Sequence, residues 1–284
     1  MPSESDRTTA IKPHSDQPIP QKLLRGVLGV LRYESARSLT PVRIAAWIGL
    51  ALFPVGIILA VRLLTSRLDP RDVQDIWFIL LALVFVLQIE IVTVLSMLLW
   101  ATPVVHAELE GQTWVYSVVR PHARWMMLCG KYLASFLWTS SCTVLSVSLI
   151  VPWLNTPDPS QTWKVCVSLC ILSAMAHGAL FIAIGTFFQK RAMVVAFAFA
   201  AVVEGVLAWI PALINRFTIS YRLRSILVNS LLSDQELPRP MDEILVSPDS
   251  TSVHVAILIL FTITLLFAAS IRVYRTQFSW QSEY

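Results

Sequence analysis

Apolar residues gather in six long runs, roughly residues 43–64, 76–104, 127–153, 163–188, 192–214 and 253–274. Each is as long as the ~20 residues that a helix needs to cross the hydrocarbon core of a bilayer. The pattern predicts an all-α integral membrane protein with six transmembrane helices. Ahead of the first run the period changes. Leu23, Leu24, Val27, Leu28 and Leu31 fall on one helical face, and Lys22, Arg25, Arg32 and Arg37 lie largely off it. That is the profile of a basic amphipathic helix lying in the inner headgroup layer. Residues 1–20 are polar and Pro-rich, with too little apolar surface to fold alone, and are expected to be a disordered cytoplasmic tail. No short apolar run with a small-residue cleavage site occurs in the first 40 residues, so no removable leader is expected. The chain thus divides into a tail (1–20), one six-span domain (21–275) with a long outer loop (215–252), and a short cytoplasmic C-terminal tail (276–284).

The most polar stretch between two apolar runs is His106 to Lys131, HAELEGQTWVYSVVRPHARWMMLCGK. Glu108, Glu110, Arg120, Arg124 and Lys131 alternate there with Leu109, Trp114, Val115, Val118 and Val119. Apolar residues at helical spacing inside a polar loop predict a short amphipathic helix, within a loop at 105–126 between spans 2 and 3. Such a helix lies on the membrane surface or docks into a groove of a soluble partner.

The fourth and fifth runs are rich in small residues: Ala174, Gly178, Ala179, Ala183 and Gly185, then Ala192, Ala196, Ala200, Glu204 and Ala208 at strict four-residue intervals. Small stripes let helix backbones approach closely in lipid, so these helices are expected deep in the bundle or at a subunit interface. Only Gln189, Lys190 and Arg191 separate the two runs, which predicts a tight cytoplasmic hairpin. Tyr221 to Leu232 reads as a short interfacial helix within the outer loop.

Glu90 and Glu204 stand out inside apolar runs, where an ionisable side chain is costly unless protonated, paired or hydrated. One reading makes them the lining of a transport path or a proton-coupled switch. The other makes each a neutral carboxyl bonded across helices to groups such as Gln88, Thr93 or a hydroxyl of the third run. The same choice applies to His177 and to the polar row that includes Thr139 and Thr143, since hydroxyls readily bond their own helix backbone.

Composition agrees with the pattern. With 56% hydrophobic and 14% charged residues, and a mean hydropathy of +0.66, the chain departs from the roughly one-quarter charged residues of soluble domains. Its net charge of +4 reads as a topology signal. Most Lys and Arg fall on one side if both termini are cytoplasmic, although Arg216, Arg222, Arg224 and Arg239 fall in the last outer loop. Trp77, Trp153, Trp163 and Trp209 come out at the opposite boundary, where aromatic belts are expected. No nucleic-acid partner is implied. The four cysteines sit in or beside apolar runs; Cys166 and Cys170 share a helix face but lack further metal ligands. His106, Glu108 and Glu110 are spaced by two and point to different faces, so no metal is expected there. Gly130-Lys131 is followed by Tyr132 and lacks the preceding glycine of a phosphate-binding loop, and neither HExxH nor GxSxG occurs. No catalytic residue is proposed from these patterns.

Glu108, Glu110, Gly111, Thr113, then Arg120, Pro121 and Arg124, and finally Gly130 and Lys131 resemble the signature of the ABC transporter type-2 permease family. The first cytoplasmic loop of that family reads approximately E-x-E-x-G-T, a short helix, R/S-P-x-x-R and G-K. In this chain Gln112 stands between Gly111 and Thr113. The six runs, the amphipathic helix before them and the long last outer loop are similar as well, so the likeness covers about residues 21–275. It implies a permease subunit of an exporter in the cell (plasma or inner) membrane, not itself an enzyme. Such a subunit pairs with a second copy or a paralogue and couples to a separate ABC ATPase that holds ATP and Mg. The loop would be the coupling helix. Glu108 and Glu110 would orient its start, Gly111 would allow a close turn, Arg120 and Arg124 would meet acidic groups of the partner or lipid phosphates, and Lys131 would anchor the third span. Glu90, Glu204, Thr139, Thr143 and His177 are the intramembrane candidates for the path. A proton-coupled secondary transporter, or an intramembrane enzyme using Glu90 or Glu204, are the competing classes.

Overall fold

The computed structural model describes residues 19–65, 73–103, 123–188, 191–209, 213–231 and 249–276. Among them every regular element is helical and there is no strand. Five helices are long and apolar enough to cross a membrane: Pro41–Thr65, Ile79–Ala101, Ala123–Trp153, Pro159–Phe187 and Thr251–Arg275. They correspond to five of the six apolar runs. Residues 104–122, which carry most of the polar loop, lie outside the described residues.

Helix α1 (Ile19–Ser38) precedes α2 (Pro41–Thr65). The second span is composite, with α3 (Val73–Val84), a π-helical stretch (Phe85–Val92) and α4 (Thr93–Ala101) in one continuous rod. α5 (Ala123–Ile150) and α6 (Pro159–Phe187) follow. The turn between them is made by Asn155, which takes a left-handed φ of 50°, a conformation that Asn tolerates better than most residues. Asp158 then caps α6. Its Oδ1 accepts from the amides of Ser160 and Gln161, each at 3.0 Å, and Pro159 occupies the first helical position, where its missing N–H is not needed. The Gln161 amide, followed by the Ser160 hydroxyl, holds the Asp158 carboxyl below its ordinary range.

α6 is the axis of the bundle. Every residue from Ala176 to Thr186 is buried, because its small side chains admit neighbours on all sides; it packs against α4, α5 and the last helix, α9 (Thr251–Arg275). The expected small-residue core of the fourth run is therefore present. Gly178 is one such contact, its Cα facing the Tyr132 ring and the Met97 thioether, where an added methyl would stand 3.2–3.3 Å away.

α1 lies along α5. Gly130 makes that approach possible: a Cβ there would stand 2.6 Å from the Val30 side chain and 3.1 Å from the Val27 carbonyl oxygen. One residue on, Lys131 is buried and pairs with Glu34 of α1 at 3.5 Å. The Gly130-Lys131 pair thus joins α1 to the third span, while Leu24 and Leu28 of α1 stay exposed.

The fifth apolar run departs from the expected pattern. It forms α7 (Ala192–Phe199) and a π turn (Ala200–Glu204), about 20 Å at 1.5 Å per residue, short of the ~30 Å core. The amide of Gly205 closes the π turn on the Ala200 carbonyl at 2.9 Å. A side chain at Gly205 would place Cβ 2.6 Å from the Ala201 carbonyl oxygen, so the sharp exit requires glycine. Short 3₁₀ turns at Leu207–Trp209 and Leu213–Phe217 follow. Then comes α8 (Ile219–Leu231), with nine of its 13 residues buried. The helix expected at the interface near Tyr221 to Leu232 is present but packs inside the bundle, against α6 and α9.

Candidate functional site

Both carboxylates singled out in the sequence stand on π-helical backbone, Glu90 within Phe85–Val92 and Glu204 at the end of Ala200–Glu204. π stretches are rare and recur at functional positions, because the extra residue per turn shifts side chains and frees carbonyls. In the second span the Thr93 amide reaches back five residues to the Gln88 carbonyl. The Ile89 carbonyl accepts from the Ser173 hydroxyl of α6 at 3.2 Å. A cleft of about 550 Å³ opens between the two π stretches. Its walls are apolar, with Val94, Leu95, Phe197 and Ala200 among them, and its polar groups are Glu90 and Glu204.

The two acids differ in what they hold. Glu204 is 5% exposed and receives two main-chain amides from the start of α8: Ile219 N–H at 3.2 Å on Oε1 and Ser220 N–H at 2.8 Å on Oε2. The next amide, of Tyr221, is taken by Thr218 Oγ1 at 3.2 Å. Glu204 is therefore a helix cap delivered from another element, filling acceptor positions that α8 cannot satisfy itself. Arg224, one helical turn into α8, makes the return contact. The residue is 3% exposed, and its guanidinium donates to the Ala208 carbonyl at 3.0 Å and so satisfies backbone left open by the early end of the fifth run.

Glu90 lies in the field of both Arg224 and Glu204 and beside Ser220. Its Oε1 is buried and has no hydrogen-bond partner among the described residues. His177, buried on α6, is electrostatically linked to Glu204. Its Nδ1 is within 3.0 Å of the Ser173 carbonyl and 3.1 Å of the Ser173 hydroxyl, and its Nε2 is buried without a partner among the described residues. The cluster brings two acids, a guanidinium and an imidazole together within an apolar bundle. Glu90 is the member that both lines the cleft and has a buried oxygen without a partner among the described residues.

The other candidates separate. Thr139 and Thr143 are fully buried between α5 and the second span. Thr139 Oγ1 shares a 2.7 Å bond with Ser96 Oγ, Thr143 Oγ1 returns to the Thr139 and Ser140 carbonyls, and the Thr143 carbonyl accepts from Gln88 Nε2 at 3.1 Å. These bonds tie helices together and do not line the cleft. Of the loop residues, Glu108, Glu110, Gly111, Thr113, Arg120 and Pro121 lie outside the described residues. Arg124, Gly130 and Lys131 are placed, at contacts with α9 and α1. Among the described residues no group of three or more His, Cys, Asp or Glu is positioned to hold a metal, and all four thiols are free.

Arg224 and Ser220 escaped the sequence reading, which put them in an outer loop. The signal was present: Arg224 falls three and four residues before Leu227 and Val228 and next to Leu223, on the apolar side of its helix, where a solvated arginine would not be placed. No protein-family model matches the chain, and no curated protein matches it in sequence.

Proposed function

We propose that the chain is the membrane subunit of an ATP-driven exporter of the ABC type-2 permease kind. Two copies, or this chain and a paralogue, form the substrate path, and a separate ABC ATPase binding ATP and Mg drives it through the loop between the second and third spans. The observation that carries this reading is the cleft: a bundle with five helices of spanning length bears a carboxylate-lined opening whose walls, among the described residues, come from the second span, α7 and the π turn that follows it. A charged group opening onto hydrocarbon is costly, so a second subunit is the natural opposite wall. The loop signature from Glu108 to Lys131 adds the handle for a motor, in a chain without a phosphate-binding loop of its own. On this reading the fifth run completes a sixth crossing through α7 and the irregular chain after it, α1 lies in the inner headgroup layer, and both termini are cytoplasmic.

The enzyme alternative is weakened by Glu204, whose two oxygens are occupied by amides of α8. A proton-coupled transporter keeps Glu90 as its carrier and remains the second reading. Co-purification with the ATPase of an adjacent reading frame separates the two. The exporter reading expects a stable complex, lost on Glu108→Lys or Arg120→Glu; Arg124 is unsuited to this test because it also holds α9. Uptake or efflux by the chain alone in proteoliposomes, driven by a proton gradient and abolished by Glu90→Gln, would replace that reading with the transporter.

A further inference from the structure

A second cavity lies apart from the carboxylate cleft. It is a groove of about 650 Å³ between the start of α5 and the last turns of α9. Arg124 sits at its mouth, where Nη1 donates to the carbonyls of Val273 at 3.3 Å and Tyr274 at 2.9 Å. This contact closes the C-terminus of α9 and fixes the guanidinium at the end of both helices. Arg275 lines the same mouth and is exposed. Arg272, one turn back, turns away over the Phe187 ring at 5.5 Å. Below the arginines the walls are hydrocarbon, with Leu128, Ile263, Phe267 and Ile271 among them, and among the described residues no acidic side chain lines the groove.

We propose that this groove holds one anionic phospholipid, its phosphodiester between Arg124 and Arg275 and an acyl chain along α9. Dimensions support the assignment. From Arg275 to Ile263 the groove follows α9 for about 18 Å at 1.5 Å per residue, close to the ~15 Å depth of one leaflet, half of the hydrocarbon core. Both arginines stand at the ends of helices of spanning length, which is headgroup level. Trp125 and Tyr274, 49% and 78% exposed, flank the mouth as interfacial aromatics do. Charge favours a lipid over a second copy: a two-fold contact through this face would set the same arginines against each other with no acid of the described lining between them, whereas the cytoplasmic leaflet supplies anionic headgroups.

Native mass spectrometry of the full chain, released from a neutral detergent with phosphatidylglycerol or phosphatidylcholine of equal chain length, tests this. The wild type retains phosphatidylglycerol in preference. Arg275→Gln, an exposed position, lowers that retention about fivefold, the equivalent of about 1 kcal/mol for one basic residue near the headgroups. Ile263→Trp fills the deep end of the groove with the arginines intact and lowers retention of both lipids. Ile263 is 59% exposed, and an unchanged melting curve verifies that the fold is retained. Equal retention by wild type and Arg275→Gln overturns the proposal. So does undiminished phosphatidylglycerol binding in Ile263→Trp, which would mean headgroups gathering on a basic rim. Dissociation of a dimer by Ile263→Trp with lipid retention intact would assign the groove to a contact between copies.

Discussion

The carboxylate of Glu204 stands where the first amides of α8 would otherwise be stranded in a dry interior. A buried amide left without an acceptor costs about 1–3 kcal/mol, so Glu204→Ala, which strands two, is expected to lower stability by about 3 kcal/mol. Glu204→Gln keeps one carbonyl acceptor and should lose about half as much. Thermal unfolding in detergent reads both, and equal melting temperatures for the two variants would assign the capping elsewhere. Both readings of the sequence placed Glu204 within a helix bundle, bonded or lining a path. Its actual partners, the amides of Ile219 and Ser220, were not legible because they belong to a helix start 15 residues later, brought back by a chain reversal that leaves no periodic trace. Glu90 was legible as an anomaly, since a charge within an apolar run announces itself. That it rides on π backbone was not, because the extra residue per turn has no sequence signature.

Five of the six apolar runs became long helices, the fifth run did not, and its four-residue small stripe, Ala192, Ala196, Ala200, Glu204 and Ala208, is buried throughout. The early end of that run depends on Gly205, whose exit geometry is a backbone property that a hydropathy pattern does not register. α1 was predicted from its amphipathic face, and the surface it meets is set by Gly130. Gly130→Leu would drive a side chain into Val30, and overpacking of this kind costs about 1–3 kcal/mol. The expected result is α1 released from α5, seen as faster tryptic cleavage at Arg25 and Arg37 in micelles. If headgroups alone held α1, cleavage would be the same in Gly130→Leu and the wild type.

Burial is uneven across the molecule. α6 is enclosed, with 67% of its most apolar stretch buried, whereas α2 and α9 have only 17% and 22% and present their outer faces to whatever surrounds the bundle. α7 is different, with one face carrying the buried small stripe and the other exposing Val194 and Phe197, 66% and 55% exposed, beside the carboxylate cleft. Lipid covers an apolar face at no penalty, but a cleft lined by Glu90 and Glu204 is costly to open onto hydrocarbon. A second copy seated across the cleft would exclude hydrocarbon from those carboxylates and enclose a path between equivalent walls. In a two-fold arrangement a residue near the axis meets its own counterpart. Phe197→Cys, with Cys129 replaced by serine to remove the partly exposed native thiol, is therefore expected to cross-link two chains in native membranes. Leu260→Cys on the outer face of α9, 64% exposed, is expected to remain monomeric on the same gel. Cross-linking at residue 260 with none at residue 197 would move the interface to α9 and leave the cleft facing lipid, removing the observation on which the exporter reading rests.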